Sequence, residues 1–161
     1  MKQKEMASYL KIITILVAVL FLFFVGWFLP VSIVEILIPN KISVKIVICI
    51  IGYIWVSSIP CLLALIQFWK ICCRISKDQS FCIENAKALK EMSIYMLIVL
   101  IECAVGLGAL VITSYYQLYT FSTVAIFIAM VISVTLAVVC AALSHLVHKA
   151  SMLQEEHDLT V

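Results

Sequence analysis

A chain of 161 residues that is 65% hydrophobic and only 12% charged lacks the roughly 25% of charged residues with which a soluble domain coats itself, and its mean hydropathy of +1.20 makes lipid the solvent for most of it. A formal net charge of +2 leaves no basic face for direct nucleic-acid binding. Seven cysteines, an odd number set mostly inside apolar runs, argue against a disulfide framework and suit a reducing compartment or the bilayer.

The hydrocarbon core of a bilayer, about 30 Å thick, is crossed by about 20 apolar residues in a helix. Uncharged runs over residues 12–29 and 46–69 supply two spans. Residues 92–114 supply a third, apolar apart from Glu102. From Cys103 to His148 there is no Asp, Glu, Lys or Arg, a stretch too long for one span. It is expected to finish the third span, turn at residues 115–120 and form a fourth over residues 122–147. Tyr115, Tyr116 and Tyr119 in that turn are the amphipathic residues of a membrane interface. The runs are solid, not ten-residue alternations, so helices are expected and a barrel is not. The first span has a basic flank, but its length and the lack of a small-x-small cleavage site favour a retained helix over a signal peptide. The expected fold is all-α: one integral membrane domain over residues 1–161, built as a four-helix transmembrane bundle.

Basic residues set the orientation. Lys2, Lys4 and Lys11 precede the first span; Lys70, Arg74, Lys77, Lys87 and Lys90 lie between the second and third; Lys149 follows the fourth. Only Lys41 and Lys45 fall in the other connections. This asymmetry puts both termini, the loop over residues 70–91 and the tail over residues 148–161 in the cytoplasm. The first outer connection, Pro30 to Lys45, reads as a longer loop at the interface, with Pro39-Asn40 as a turn signal. The second reads as a tight hairpin.

The cytoplasmic loop is the largest polar piece. Ser80 is a favoured N-cap, and Glu84 falls in the first turn, where the helix dipole favours an acid. Ile83, Ala86, Leu89, Ser93 and Met96 then recur at helical spacing, so the third span is expected to begin near Phe81, outside the bilayer. The fourth is expected to overrun the bilayer too, with Val147, Ala150 and Leu153 as a stripe before an acidic end.

The segment Ser80-Phe81-Cys82-Ile83-Glu84-Asn85-Ala86-Lys87-Ala88-Leu89 resembles a pFs-x-EN-x-x-x-L element, and Leu153-Gln154-Glu155-Glu156-His157-Asp158-Leu159-Thr160-Val161 resembles an L-x-EE-x-DLT-[IV] ending. Both elements, with four spans, resemble the bacterial membrane family called domain of unknown function 2975, over nearly the whole chain. The pattern departs at Cys82, where a small or polar residue is expected, and at His157, where Asn is usual. The resemblance implies no enzyme activity. It does imply a context, because members are often encoded beside a small helix-turn-helix regulator. It therefore suggests a regulatory protein of the bacterial cytoplasmic membrane that sequesters such a transcription regulator. The expected docking residues are Ser80, Phe81, Glu84, Asn85 and Leu89 in the loop helix, with Leu153, Glu155, Glu156, Asp158 and Leu159 in the tail. The bland alternative is a solvated tail and a basic flank on anionic headgroups.

Glu102 is the one ionisable Asp, Glu, Lys or Arg residue inside a span, and a charge there costs about 2.5–3.5 kcal/mol on insertion scales. It reads either as interhelical glue or a homodimer contact, with Ser57, Ser58, Thr113, Ser133 or Thr135 as partners, or as the working residue of a small transporter or channel. Gly106 and Gly108 would admit a close helix. Cys72, Cys73, Cys82, His145, His148 and His157 share the cytoplasmic side, but adjacent cysteines chelate poorly and no C-x-x-C occurs, so no metal is expected. Pro60 is expected to kink the second span. With no phosphate loop, nucleophile–base pair or clustered carboxylates, neither an enzyme nor a cofactor is expected.

Overall fold

A computed structural model describes the backbone of residues 3–39, 42–77, 81–112 and 120–159. These residues are helical almost throughout, with no strand among them. The order is α1 (Gln3–Phe23), a π-helical segment (Phe24–Phe28), α2 (Leu29–Leu37), α3 (Val44–Ile75), α4 (Ile83–Ile112) and α5 (Thr120–Leu159). Four stretches are long and apolar enough to cross a membrane: Ser8–Leu37, Val44–Ile75, Ile83–Ile112 and Ser122–Gln154. The shortest has 30 residues, about 45 Å of helix against a core of about 30 Å, so every span carries turns beyond the hydrocarbon.

The first connection departs from the expected loop. The helix runs through Pro30 and ends only at Leu37, where Pro39 follows. The π-helical turn makes this continuation possible. Leu29 N–H already bonds back to the Phe24 carbonyl, one residue further than in an α-helix, so the missing Pro30 N–H falls where the ladder is being reset. The Phe24 and Phe28 rings stack over this turn, their centroids 5.3 Å apart. Ser43 is extended (φ −56°, ψ 133°), and its carbonyl accepts the N–H groups of Ile46 and Val47 that open α3. Pro60 lies inside α3 without ending it. Of the turn expected at residues 115–120, residues 115–119 lie outside the described residues, and Thr120 opens α5 instead.

The spans pack as an open bundle, a row in chain order. Among the described residues α3 lies between α1 and α4, and α5 touches α4 alone. Such a row leaves much surface to lipid. The chain exposes 11100 Å², against about 8,000 Å² for a compact globule of its mass, and its outward side chains are apolar, among them Trp27, Ile101 and Val138.

Lipid tails are as apolar as leucine, so burial alone does not drive helices together here; close backbone approach and hydrogen bonds do. The α4–α5 seam has that character. It is lined by Ala86, Ser93, Ala137 and Cys140, all buried. Ser93 Oγ donates to the Ala137 carbonyl at 2.8 Å and Ser144 Oγ to the Ala86 carbonyl at 2.7 Å. Seven residues separate the two bonds on each helix, in opposite directions, which fixes an antiparallel register with Ile83 level with Val147. Between α3 and α4, Gln67 Nε2 donates to Glu91 Oε2, Arg74 reaches Asn85, and the Tyr53 hydroxyl donates to the Glu102 carbonyl. Between α1 and α3, Lys11 Nζ donates to Ser76 Oγ at 3.0 Å, and Thr14 Oγ1 lies 4.0 Å from Cys72 Sγ. The start of α1, the α3–α4 connection and the end of α5 therefore share one end of the row, called the polar end below.

Candidate functional site

Helix α4 starts two residues later than a Ser80 cap would have it. The Cys82 carbonyl accepts the N–H groups of Asn85 (3.0 Å) and Ala86 (3.3 Å), so Cys82 stands at the capping position; Ser80 lies outside the described residues. Phe81 precedes the helix and is 59% exposed. Glu84 is exposed in the first turn, as expected. Leu89 is half-buried.

Asn85 is different. It is one of the two largest fully buried side chains, 2% exposed. Arg74 Nη1 donates to its Oδ1 at 3.3 Å and also to the Glu84 carbonyl at 3.4 Å. A buried amide costs free energy unless it is bonded, and Arg74 supplies the donor from the last turn of α3. Asn85, with the backbone carbonyl of Glu84, is thus an internal clamp between α3 and α4, and Asn85 is withdrawn from the docking set. Nothing in the sequence distinguishes a polar side chain held by a neighbouring helix from one held by another molecule.

The end of α5 extends beyond the rest of the polar end. With Val147 level with Ile83, the twelve residues 148–159, about 18 Å of helix, run past the first turn of α4. Ser151, within this stretch, is buried, its Oγ bonded to the His148 carbonyl at 2.8 Å. Of the expected stripe, Val147 and Ala150 are half-buried, whereas Leu153 is 59% exposed. Glu155, Glu156, Asp158 and Leu159 continue the helix; their side chains lie outside the described residues. Phe81, Glu84 and the α5 extension are therefore brought to one end, within a few turns of each other.

Glu102 occupies the middle of the third span, ten residues from both Met92 and Ile112. Its Oε2 is enclosed and has no hydrogen-bond partner, and Ser57 Oγ on α3 is enclosed as well, beside the Tyr53 hydroxyl. Of the other expected partners, Ser58, Ser133 and Thr135 bond to carbonyls of their own helices, and Thr113 lies outside the described residues. Tyr53, not foreseen from the sequence, completes the neighbourhood. Its hydroxyl is beside Ser57 and on the Glu102 carbonyl, and its ring lies on Gly106, where an added Cβ would meet the phenol oxygen at 3.3 Å. All seven cysteines are free, and no three His, Cys, Asp or Glu residues among those described converge on a metal-sized site.

Comparison with known proteins returns one family. Its model, described as "Protein of unknown function (DUF2975)", matches residues 2–161. No curated protein and no solved structure matches the chain.

Proposed function

The chain belongs to the DUF2975 family, and from that premise we propose that it is a regulatory protein of the bacterial cytoplasmic membrane that docks a cytoplasmic helix-turn-helix transcription regulator and holds it away from DNA. The basic residues Lys11, Arg74, Lys77, Lys87, Lys90 and Lys149 gather at the polar end, which the positive-inside rule assigns to the cytoplasm, together with both termini.

The observation that carries this reading is the α5 extension. A span needs no twelve-residue overhang past its neighbour, and this one ends in Glu155, Glu156 and Asp158 between Leu153 and Leu159. Acidic groups complement the basic surface with which such a regulator meets DNA, and they steer the encounter. Exposed Leu153 beside them, with exposed Phe81 about one turn away by register, supplies the apolar anchors that carry affinity. Asn85 and Arg74 act indirectly, by fixing the start of α4 against α3. A second copy in the same membrane would present two tails, matching the two-fold symmetry of dimeric regulators.

The test is affinity capture from native membranes in mild detergent, comparing the intact chain with one ending at Leu153. The expected result is a small DNA-binding protein retained by the intact chain and lost by at least about tenfold on truncation, with capture weakening as salt rises. Equal retention by both chains would refute docking at the tail.

A further inference from the structure

We propose that Glu102 and Ser57 form a proton-binding site at the middle of the membrane, on the α3–α4 seam and independent of the docking surface.

Register places the two residues together. Gln67 bonds to Glu91 and Arg74 to Asn85 across this antiparallel pair. Counting ten residues from the first of these contacts along each helix brings Ser57 level with Ile101 and Glu102. The Tyr53 hydroxyl on the Glu102 carbonyl fixes the same alignment one turn away. Ser57 also sits near the centre of its apolar stretch, Val44–Ile75, and Glu102 ten residues inside the end of its own, Ile83–Ile112. At this one level, Oε2 of Glu102 and Oγ of Ser57 are both enclosed, the carboxyl oxygen without a hydrogen-bond partner and the hydroxyl beside that of Tyr53. Buried polar atoms in native structures are almost always bonded; an enclosed carboxyl oxygen that meets no donor is satisfied by carrying its own proton and giving it to a neighbouring acceptor, and Ser57 Oγ stands at the same height on the facing helix.

The chemistry selects a proton over a metal cation. A hard cation takes about six or more oxygen ligands. This site offers one carboxyl and one hydroxyl, since the Tyr53 hydroxyl is already donating to a backbone carbonyl. An ionised carboxylate at this depth costs about 2.5–3.5 kcal/mol or more, which one added proton removes. The protonated carboxyl can then share its hydrogen with Ser57 Oγ. Release breaks the O–H bond, leaves the electron pair on the carboxylate and passes the proton to water entering the seam. The other titratable side chains near Glu102 are Tyr53 and Cys61 from α3 and Cys103 from α4 itself. Helix α5, level with Glu102 near Ile128, brings none among the described residues, and α1 and α2 do not touch α4. Among the described residues no fixed cation faces the carboxyl, so a proton is its available counter-charge.

A hydrophobic carbodiimide reads this site, because it adds to a protonated carboxyl in apolar surroundings and leaves ionised surface carboxylates largely unmodified. The purified full chain would be treated in lipid nanodiscs at about pH 7, where exposed carboxylates are ionised, and the adduct located by peptide mass spectrometry. The expected result is one adduct per chain on Glu102, absent in Glu102→Gln and slower in alkaline buffer. Ser57→Ala should change the labelling rate by at least about threefold, the scale of one hydrogen bond. The proposal is overturned if Glu102 stays unlabelled, if its labelling ignores pH, or if sodium or potassium ions protect it, which would make the ligand a metal cation. An unchanged rate in Ser57→Ala would likewise overturn the proposed Glu102–Ser57 site. No partner protein is present in the experiment, so its outcome is separate from that of the docking proposal.

Discussion

Replacing Asn85 by alanine should loosen the polar end of the protein without touching any exposed contact. The wild-type amide is 2% exposed and accepts a hydrogen bond from Arg74. Bonds to a charged group contribute about 1.5–3 kcal/mol. Arg74 is only half-buried and retains the Glu84 carbonyl at 3.4 Å, so the loss should fall near the lower figure, about 1.5 kcal/mol or roughly tenfold in the unfolding equilibrium. Unfolding in mixed micelles, followed for Asn85→Ala, Arg74→Ala and the double variant, isolates the pair. A coupling energy of about 1 kcal/mol is expected, within the range of residues in direct contact. Additive effects would refute the clamp. If Asn85 were instead a docking contact, Asn85→Ala would leave stability unchanged and weaken partner capture directly.

Further expectations follow from the two seams. Ser93→Ala and Ser144→Ala should each cost about 0.6 kcal/mol, the average for interhelical hydrogen bonds in membranes, measured in the same unfolding assay. Ser93→Leu should cost considerably more, because that position is buried against Ala137. Gly106→Ala would force the Tyr53 phenol to shift by a few tenths of an ångström from its 3.3 Å approach and should destabilise the α3–α4 contact. Gly108→Ala, with nothing within 4 Å of the new Cβ, should be neutral or stabilising by up to about 1 kcal/mol from helix propensity; the two melts separate packing from propensity. A water-soluble maleimide in mild detergent should modify half-buried Cys82 well before fully buried Cys72; faster labelling of Cys72 would contradict the α1–α3 contact through Thr14.

The four spans were legible because about twenty uncharged residues have few alternatives in lipid. Pro30 misled the boundary between span and loop. Proline commonly ends a helix, and the wide turn at Phe24–Phe28 that absorbs its missing N–H leaves no composition signal. The open row was equally hidden. A helix in lipid is apolar on every side, so hydropathy marks no face for its neighbour, and α5 could as well have packed on α1. What specifies the α4–α5 seam is a run of small residues at helical spacing, Ser133, Ala137, Cys140, Ser144 and Ser151, which is visible only once a partner helix is known. Glu102 stood out at once as the acid within a span, and Ser57 was among its candidate partners. Tyr53 did not stand out, because its role depends on the register of α3 against α4 and on the space left by Gly106. In the motif, Phe81 and Glu84 are exposed, whereas Asn85 is internal: a short sequence element mixes residues that build a surface with one that holds it in place.

The most direct test of docking at the polar end is photo-crosslinking in living cells from single positions carrying a reactive side chain. Leu153 and Phe81 are exposed at that end, and Val138 is exposed on the lipid-facing part of α5. Adducts from Leu153 and Phe81 to a helix-turn-helix protein, with none from Val138, are the expected result. No protein adduct from Leu153 or Phe81, or equal adducts from all three positions, would contradict it.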